Sequence, residues 1–397
     1  MQLTEVTDSR GARDFLDVNV IINKSNPNYI HPLEKDINEV FDPKKNKAFR
    51  SGEVIRWVLR DKNNQLIGRI AAFTNKKYKN KGDEVPVGGV GFFDCINNQD
   101  AADMLFDVAK HWLMQKGMQA MDGPINFGER DRWWGLLVEG FDPPVYCLNY
   151  NPSYYQQLLE NYGFKKFFNQ VCFALDVANR LQEKFYNRHA ECAKDPNFRA
   201  AHLKKDQLDK FAKDFTIVYN KAWAGHGGMK QLEEKVVRKM FQSMKPVIDE
   251  RISWFVYYND EPIALWLNLP DLNQWFKYLN GKFGLLNKLR FLWLKKTKKC
   301  DKFVGLVFGV VPEWHGKGVD SYMIVEGARV IQGIKIENGE YHMGTPIYKN
   351  YEMQWIGEFN PKMINVAENL GTYRSRILTT YRYLFDRSRE YKPHPIV

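Results

Sequence analysis

The chain repeats itself. Residues 52–73 hold two β-rich runs around Asp61-Lys62-Asn63-Asn64, and residues 251–269 hold two more around Asn259-Asp260, about 196 positions later. Asn and Asp tolerate the left-handed backbone of a tight turn, so each pair of runs predicts a hairpin. Each hairpin is followed by a third apolar strand, VPVGGVGFFDCI and then KFVGLVFGVV, and by a helix. The first helix, AADMLFDVAKHWLMQKG, sets Met104, Leu105, Val108, Trp112 and Leu113 on one face; the second runs from about Val319 to Ile331. Each copy closes with a short helix ending at Gly163 or Gly371, 208 positions apart, and one more strand. Two matching α/β units predict two domains, residues 1–180 and 196–397, joined by a polar stretch between Asn179 and Pro196.

The length of 397 residues and a 44% hydrophobic content suffice for two packed cores. No apolar stretch reaches the roughly 18 residues that cross a bilayer, the first residues lack a secretory pattern, and five cysteines without a CxxC pair suggest neither a disulfide framework nor zinc. A cytoplasmic location, with membrane contact at most peripheral, is the expectation. No metal is proposed.

The net charge of +11 is local. Nine Lys or Arg against one Asp lie between Lys277 and Lys302, in a segment at about 271–302 that lengthens the second copy relative to the first. A patch of this kind ranks nucleic acid last among partners. Within it Leu285, Leu286, Leu289, Leu292 and Trp293 share a helix face. That stripe either packs on the core, the reading slightly preferred, or docks through Leu285–Lys302 on an anionic membrane or an acyl carrier protein.

Chemistry concentrates where Val310-Val311-Pro312-Glu313-Trp314-His315-Gly316-Lys317-Gly318-Val319 carries an apolar strand through glycines into a helix. A helix N-terminus offers unpaired N–H groups and partial positive charge, glycines let the backbone approach an anion, and Lys317 adds charge. The segment is a candidate pyrophosphate cradle or, more blandly, a tight strand-to-helix turn.

The order hairpin, strand, glycine loop, helix, strand, helix, strand resembles the GNAT superfamily of acyl-CoA N-acyltransferases, whose loop after the fourth strand reads Q/R-x-x-G-x-G/A and holds the CoA pyrophosphate. HGKGVD matches at Gly316 and Gly318 and departs at His315 and Asp320. The resemblance implies an α/β (α+β) chain of two tandem GNAT-like domains, each a mixed, mostly antiparallel twisted sheet flanked by helices, with acetyl-CoA or another acyl-CoA on Val310, Val311, His315, Gly316, Lys317, Gly318 and Val319. It aligns Glu358-Phe359-Asn360 with a strand-end E-x-N, making Glu358 a candidate base beside Asn360, and puts Ala367 where many members place a thiolate-protonating Tyr. Tyr373, Tyr381 or solvent could substitute. His226, in the loop that often lines the acceptor site, is a second candidate base.

The corresponding loop of the first copy, 97–102, has no glycine and one acid, and Asn98 or Asp100 reads as a helix cap. That copy is expected to have lost CoA binding. It carries instead a long segment, 123–141, in which Asn126, Arg130, Trp133 and Trp134 are candidate substrate-binding residues or, equally, parts of a packed Ω-loop with Trp133 or Trp134 in the domain interface. GP-x-N, GLL-x-x-GFD-x-P and Y-N-P-x-Y-Y here resemble a large bacterial family over nearly the whole chain, a resemblance that supplies no substrate. The sequence therefore suggests an acyl-CoA-dependent transferase acting on a small-molecule or lipid amine. A non-catalytic GNAT-scaffold binding protein, or a peripheral membrane acyltransferase using a lipid amine or acyl carrier protein, is the alternative.

Overall fold

A computed structural model describes residues 1–223 and 231–396. The first half runs β1 (Gln2–Glu5), α1 (Ser9–Asn23), α2 (Glu34–Val40), β2 (Gly52–Arg60), β3 (Leu66–Asn75), β4 (Val87–Cys95), α3 (Gln99–Gln115), β5 (Ala120–Gly123), β6 (Leu136–Glu139), α4 (Tyr155–Tyr162) and β7 (Lys165–Asp176). The second half follows with α5 (Glu183–Cys192), β8 (Phe198–His202), α6 (Leu208–Trp223), α7 (Glu234–Met244), β9 (Trp254–Tyr258), β10 (Glu261–Pro270), α8 (Asn273–Phe276) and α9 (Leu285–Thr297). It ends with β11 (Lys302–Val310), α10 (Val319–Ile331), β12 (Lys335–Glu337), β13 (Glu340–His342), β14 (Asn350–Met353), β15 (Ile356–Gly357), α11 (Pro361–Asn369) and β16 (Tyr373–Leu384).

Local signals set these elements. Asn64, Asn259 and Asp260 have positive φ at the two hairpin turns, where their short polar side chains tolerate it. Gly163 and Gly371 end α4 and α11 at φ +108 and +79. The Asn98 side chain accepts from Ala101 N–H and caps α3. The polar stretch expected as a linker is instead helical. Phe185, Tyr186, His189 and Cys192 fall on one face of α5 and are buried, and α5 packs along α10.

The halves share one sheet, ordered β1-β2-β3-β4-β5-β16-β7-β14-β11-β10-β9-β8. The closing strands are exchanged: β7 pairs with β14 of the second half, and β16 pairs with β5 of the first. β7 and β16 also pair with each other from Tyr373↔Ala174 to Arg382↔Lys165 and form the seam. A buried ion pair locks it, with Arg376 on β16 2.6 Å from Glu352 on β14, and Lys302 reaching the same carboxylate at 3.0 Å. Burial would raise the Glu352 carboxyl, but Arg376 and Lys302 outweigh it and hold it below the usual range.

Candidate active site

β11 and β14 run parallel only from Lys302↔Asn350 to Gly305↔Met353. The Gln354 N–H makes a last link to the Gly305 carbonyl at 3.1 Å, and the chain then turns away to pair Ile356 and Gly357 with β7. β11 continues to Val310 paired only with β10. Against β10, Leu267 faces Val307 and Asn268 faces Gly305, so Leu306 is an extra residue, a bulge at the point of divergence. The sheet is forked here.

An apolar cavity of about 230 Å³ lies at the fork, between the sheet and helices α10 and α11. Its walls include Trp266, Phe303 and Tyr351 from strands, Ile324, Ala328 and Ile331 from α10, and Met363, Val366 and Ala367 from α11. Gln332 and Gln354 are its amide-bearing members, and each has a side-chain oxygen without a hydrogen-bond partner. The Gln332 Nε2 is engaged, donating to the Val177 and Asn179 carbonyls.

Past the end of β11, Pro312–Trp314 form one 3₁₀ turn, and Gly316 and Gly318 take φ of +75 and +80 before α10 begins. Positive φ at both positions explains glycine at both. The His315 Nε2 lies 2.9 Å from the Val310 carbonyl, which braces the turn. Val311 N–H donates to Ile263 O at 2.9 Å. Because successive strand amides point to opposite edges, the Val310 N–H is directed toward the open side of the fork. Gly316 is exposed, with free space where a side chain would be, whereas a Cβ on Gly318 would lie 3.3 Å from Cys192 Sγ of α5. The loop is thus backed by α5 at Gly318 and open at Gly316 and Lys317. Arg188, exposed on α5, flanks the same helix start.

The first half has the same fork in a filled form. β4 and β5 pair from Val87↔Ala120 to Gly89↔Asp122, with a bulge at Phe92 and Phe93 opposite Ile70. A buried network occupies the space: Asp94 accepts from Arg69 at 2.7 Å, Asn19 at 2.9 Å and Tyr155 at 3.0 Å. Only about 60 Å³ is left.

The Trp-rich segment folds over this half. Asn126, Arg130, Trp133 and Trp134 all line one open hollow of about 480 Å³. Asn126 Oδ1 and Trp134 Nε1 are buried without a partner, and Trp133 holds φ +46 with its N–H on the Cys147 carbonyl. The Arg130 guanidinium sits over the Trp134 ring and donates to Lys79 O and Asn80 Oδ1. The hollow and the apolar cavity share a partition: Trp355, which lines the cavity, donates from Nε1 to the Arg130 carbonyl at 3.3 Å. Sequence reasoning passed over Trp355. Its one signal was a large aromatic between two short strands.

No family model matches the chain. Over 370 residues it is 25% identical to the bacterial ceramide synthase of Caulobacter vibrioides (strain NA1000 / CB15N), covering 91% of this chain and 92% of that one. Over 385 residues it is 23% identical to Protein YghO of Escherichia coli (strain K12), covering 94% and 95%. Among solved structures it is similar to a tandem GNAT protein from the clavulanic acid biosynthesis pathway, with 10% identity, a TM-score of 0.53, and coverage of 98% of this chain and 99% of that one. The chain has a tandem GNAT-like fold.

Within that GNAT-like frame the remaining candidates fall in distinct places. Glu358 is exposed, and its two carboxylate oxygens accept from the backbone N–H and Nδ2 of Asn169 at 2.8 and 2.9 Å. Asn360 accepts from Met363 N–H and caps α11. Ala367, which the resemblance aligns with the tyrosine of many GNAT enzymes, is buried in the cavity wall. Tyr373 is exposed at the start of β16, while Tyr381, carried by strand exchange into the first-half core, donates to Glu160 at 2.9 Å. His226 lies outside the described residues.

Proposed function

We propose that this protein is an N-acyltransferase that takes a long-chain acyl thioester of CoA in its second half and passes the acyl group to a long-chain primary amine. The apolar cavity at the β11–β14 fork carries this proposal. An acetyl group needs no such volume, whereas a hydrocarbon chain gains from every buried methylene. The residues present fit the CoA end too. Gly316 leaves backbone open to an anion, and Lys317 and Arg188 supply charge on the approach.

The chemistry asks little more of the chain. Attack by a neutral amine on the thioester carbonyl puts negative charge on its oxygen, and the Val310 N–H on the open edge of the fork is positioned to stabilise it. Thiols ionise near pH 8.5, so the departing sulfur leaves tolerably without a general acid, which accommodates Ala367. Holding both reactants at one junction supplies much of the remaining acceleration. The first half would present the amine across Trp355, from the hollow around Asn126, Arg130, Trp133 and Trp134. The similarity to a ceramide synthase favours an amino alcohol as that amine, since a ceramide is a fatty amide of a long-chain amino alcohol.

The direct test incubates the protein with palmitoyl-CoA and a long-chain 2-amino alcohol, following free thiol and amide together. One thiol released per amide formed is expected, with Lys317→Glu raising KM for the thioester. Release of neither product with any amine, together with no binding of palmitoyl-CoA, would overturn the proposal.

A further inference from the structure

The Leu stripe of the basic insertion does not pack on the core. Leu285, Leu286, Leu289, Leu292 and Trp293 on α9 are 76%, 80%, 57%, 52% and 59% exposed. The helix is fixed from its other side. Phe291 and Leu294 are buried at 4% and 2%, and the Phe291 ring lies 5.4 Å from Phe276 and 6.0 Å from Trp275. Trp275 Nε1 also donates to the Lys298 carbonyl at 3.0 Å. Helix α9 is therefore apolar on two opposed faces, one spent on anchoring and one turned outward. At about 100° per residue the five outward residues span an arc of about 120°. Among the described residues no other helix exposes more than two large apolar side chains.

We infer that this outward face of α9 docks the protein on an anionic lipid bilayer. Charge complementarity selects the occupant. Lys288 and Arg290 flank the stripe on either side, Lys296, Lys298 and Lys299 crowd its C-terminal end, and all five are exposed. No acid occurs between residues 272 and 300 to neutralise them. A convex helix with Leu and Trp at its centre and Lys or Arg at its margins suits immersion at the headgroup boundary, where lysine stems extend to phosphates while the apolar side chains enter the acyl layer. Among the described residues no helix is long and apolar enough to cross a membrane, so attachment through α9 would be peripheral.

The inference is independent of thioester chemistry and is tested without it. Flotation with vesicles of phosphatidylcholine containing phosphatidylglycerol should carry the protein upward at low salt. Vesicles of phosphatidylcholine alone should carry far less. Each lysine neutralised near an anionic surface weakens binding about fivefold, so Lys296→Gln, Lys298→Gln and Lys299→Gln together should cost about a hundredfold. The triple variant Leu286→Ser, Leu289→Ser, Trp293→Ser, altered only at exposed positions and checked for unchanged melting, should lose flotation even at low salt. Failure of the parent to float at low salt would overturn the inference. So would undiminished flotation of the serine variant, or capture of the parent by an acidic acyl carrier protein without any vesicle binding.

Discussion

A cavity that receives an acyl chain should reveal its own depth when the chain is varied. Filling an apolar void recovers about 24 cal/mol per Å³. Applied to the cavity of about 230 Å³ at the fork, that coefficient gives about 5 kcal/mol, close to 10⁴ in affinity. Each buried methylene contributes ~0.8 kcal/mol, about fourfold in affinity, so about seven carbons account for the same sum. Calorimetry with saturated acyl-CoAs of increasing length should therefore show dissociation constants falling about fourfold per carbon over that range and then levelling off. The heat-capacity change should grow more negative in parallel, as apolar surface leaves water. Ala328→Phe, which projects a ring from α10 into the cavity, should bring the plateau forward to shorter chains while leaving acetyl-CoA binding nearly unchanged. Affinities independent of chain length, or a plateau that Ala328→Phe does not move, would refute the assignment of this cavity to the acyl chain.

Three further outcomes are expected. Burial pushes the Asp271 carboxyl up to about 6, so the folded protein holds this proton over a range where the unfolded chain has lost it, and the resulting stability disappears as pH rises from about 4 to 6. Asp271→Asn should then stabilise by up to about 3 kcal/mol above pH 6 and by nothing below pH 4, measured by denaturant melts across that range. Glu352→Gln leaves the Arg376 guanidinium buried without its countercharge and should cost about 3–5 kcal/mol at neutral pH; because the Glu352 carboxyl is held low, its contribution in the parent should fade as pH falls below the usual carboxylate range. Glu358→Gln should lower turnover by less than about tenfold, since both oxygens are engaged by Asn169, whereas loss of a general base would cost about 10²–10⁴.

What was legible from sequence was local. Asn64, Asn259 and Asp260 announce turns because few other residues accept positive φ, and Gly163, Gly371 and Asn98 mark helix ends for equally local reasons. The glycine loop was readable as a strand-to-helix junction because Gly316 and Gly318 serve its backbone whatever it binds. Partner choice was not readable. β7 and β16 are both twelve-residue strands buried along most of their length, and nothing within either specifies which half's sheet it enters. Glu358 looks like a free strand-end carboxylate until Asn169, far away in sequence, is placed against it. In α9 the outward stripe was visible, but its burial was misjudged because Phe291 and Leu294 already supplied the anchoring face. The fork in the sheet lies beyond sequence reading altogether, since it consists of a pairing that stops.

Strand exchange gives this last feature a mechanical consequence. Two domains joined by a linker would leave the fork and the Trp-lined hollow free to move relative to each other, which is the usual expectation for modest interfaces. Here the seam strands β7 and β16 lie between β5 and β14, so separating the halves requires breaking continuous backbone ladders as well as the Arg376–Glu352 pair. On one side of the partition Trp355 precedes Ile356 and Gly357, which pair with β7; on the other, Arg130 lies in the segment between β5 and β6, both of which pair with β16. Because β16 completes its sheet, the first half is held as a wall beside the open fork, and under the proposed reaction its contribution would be positioning.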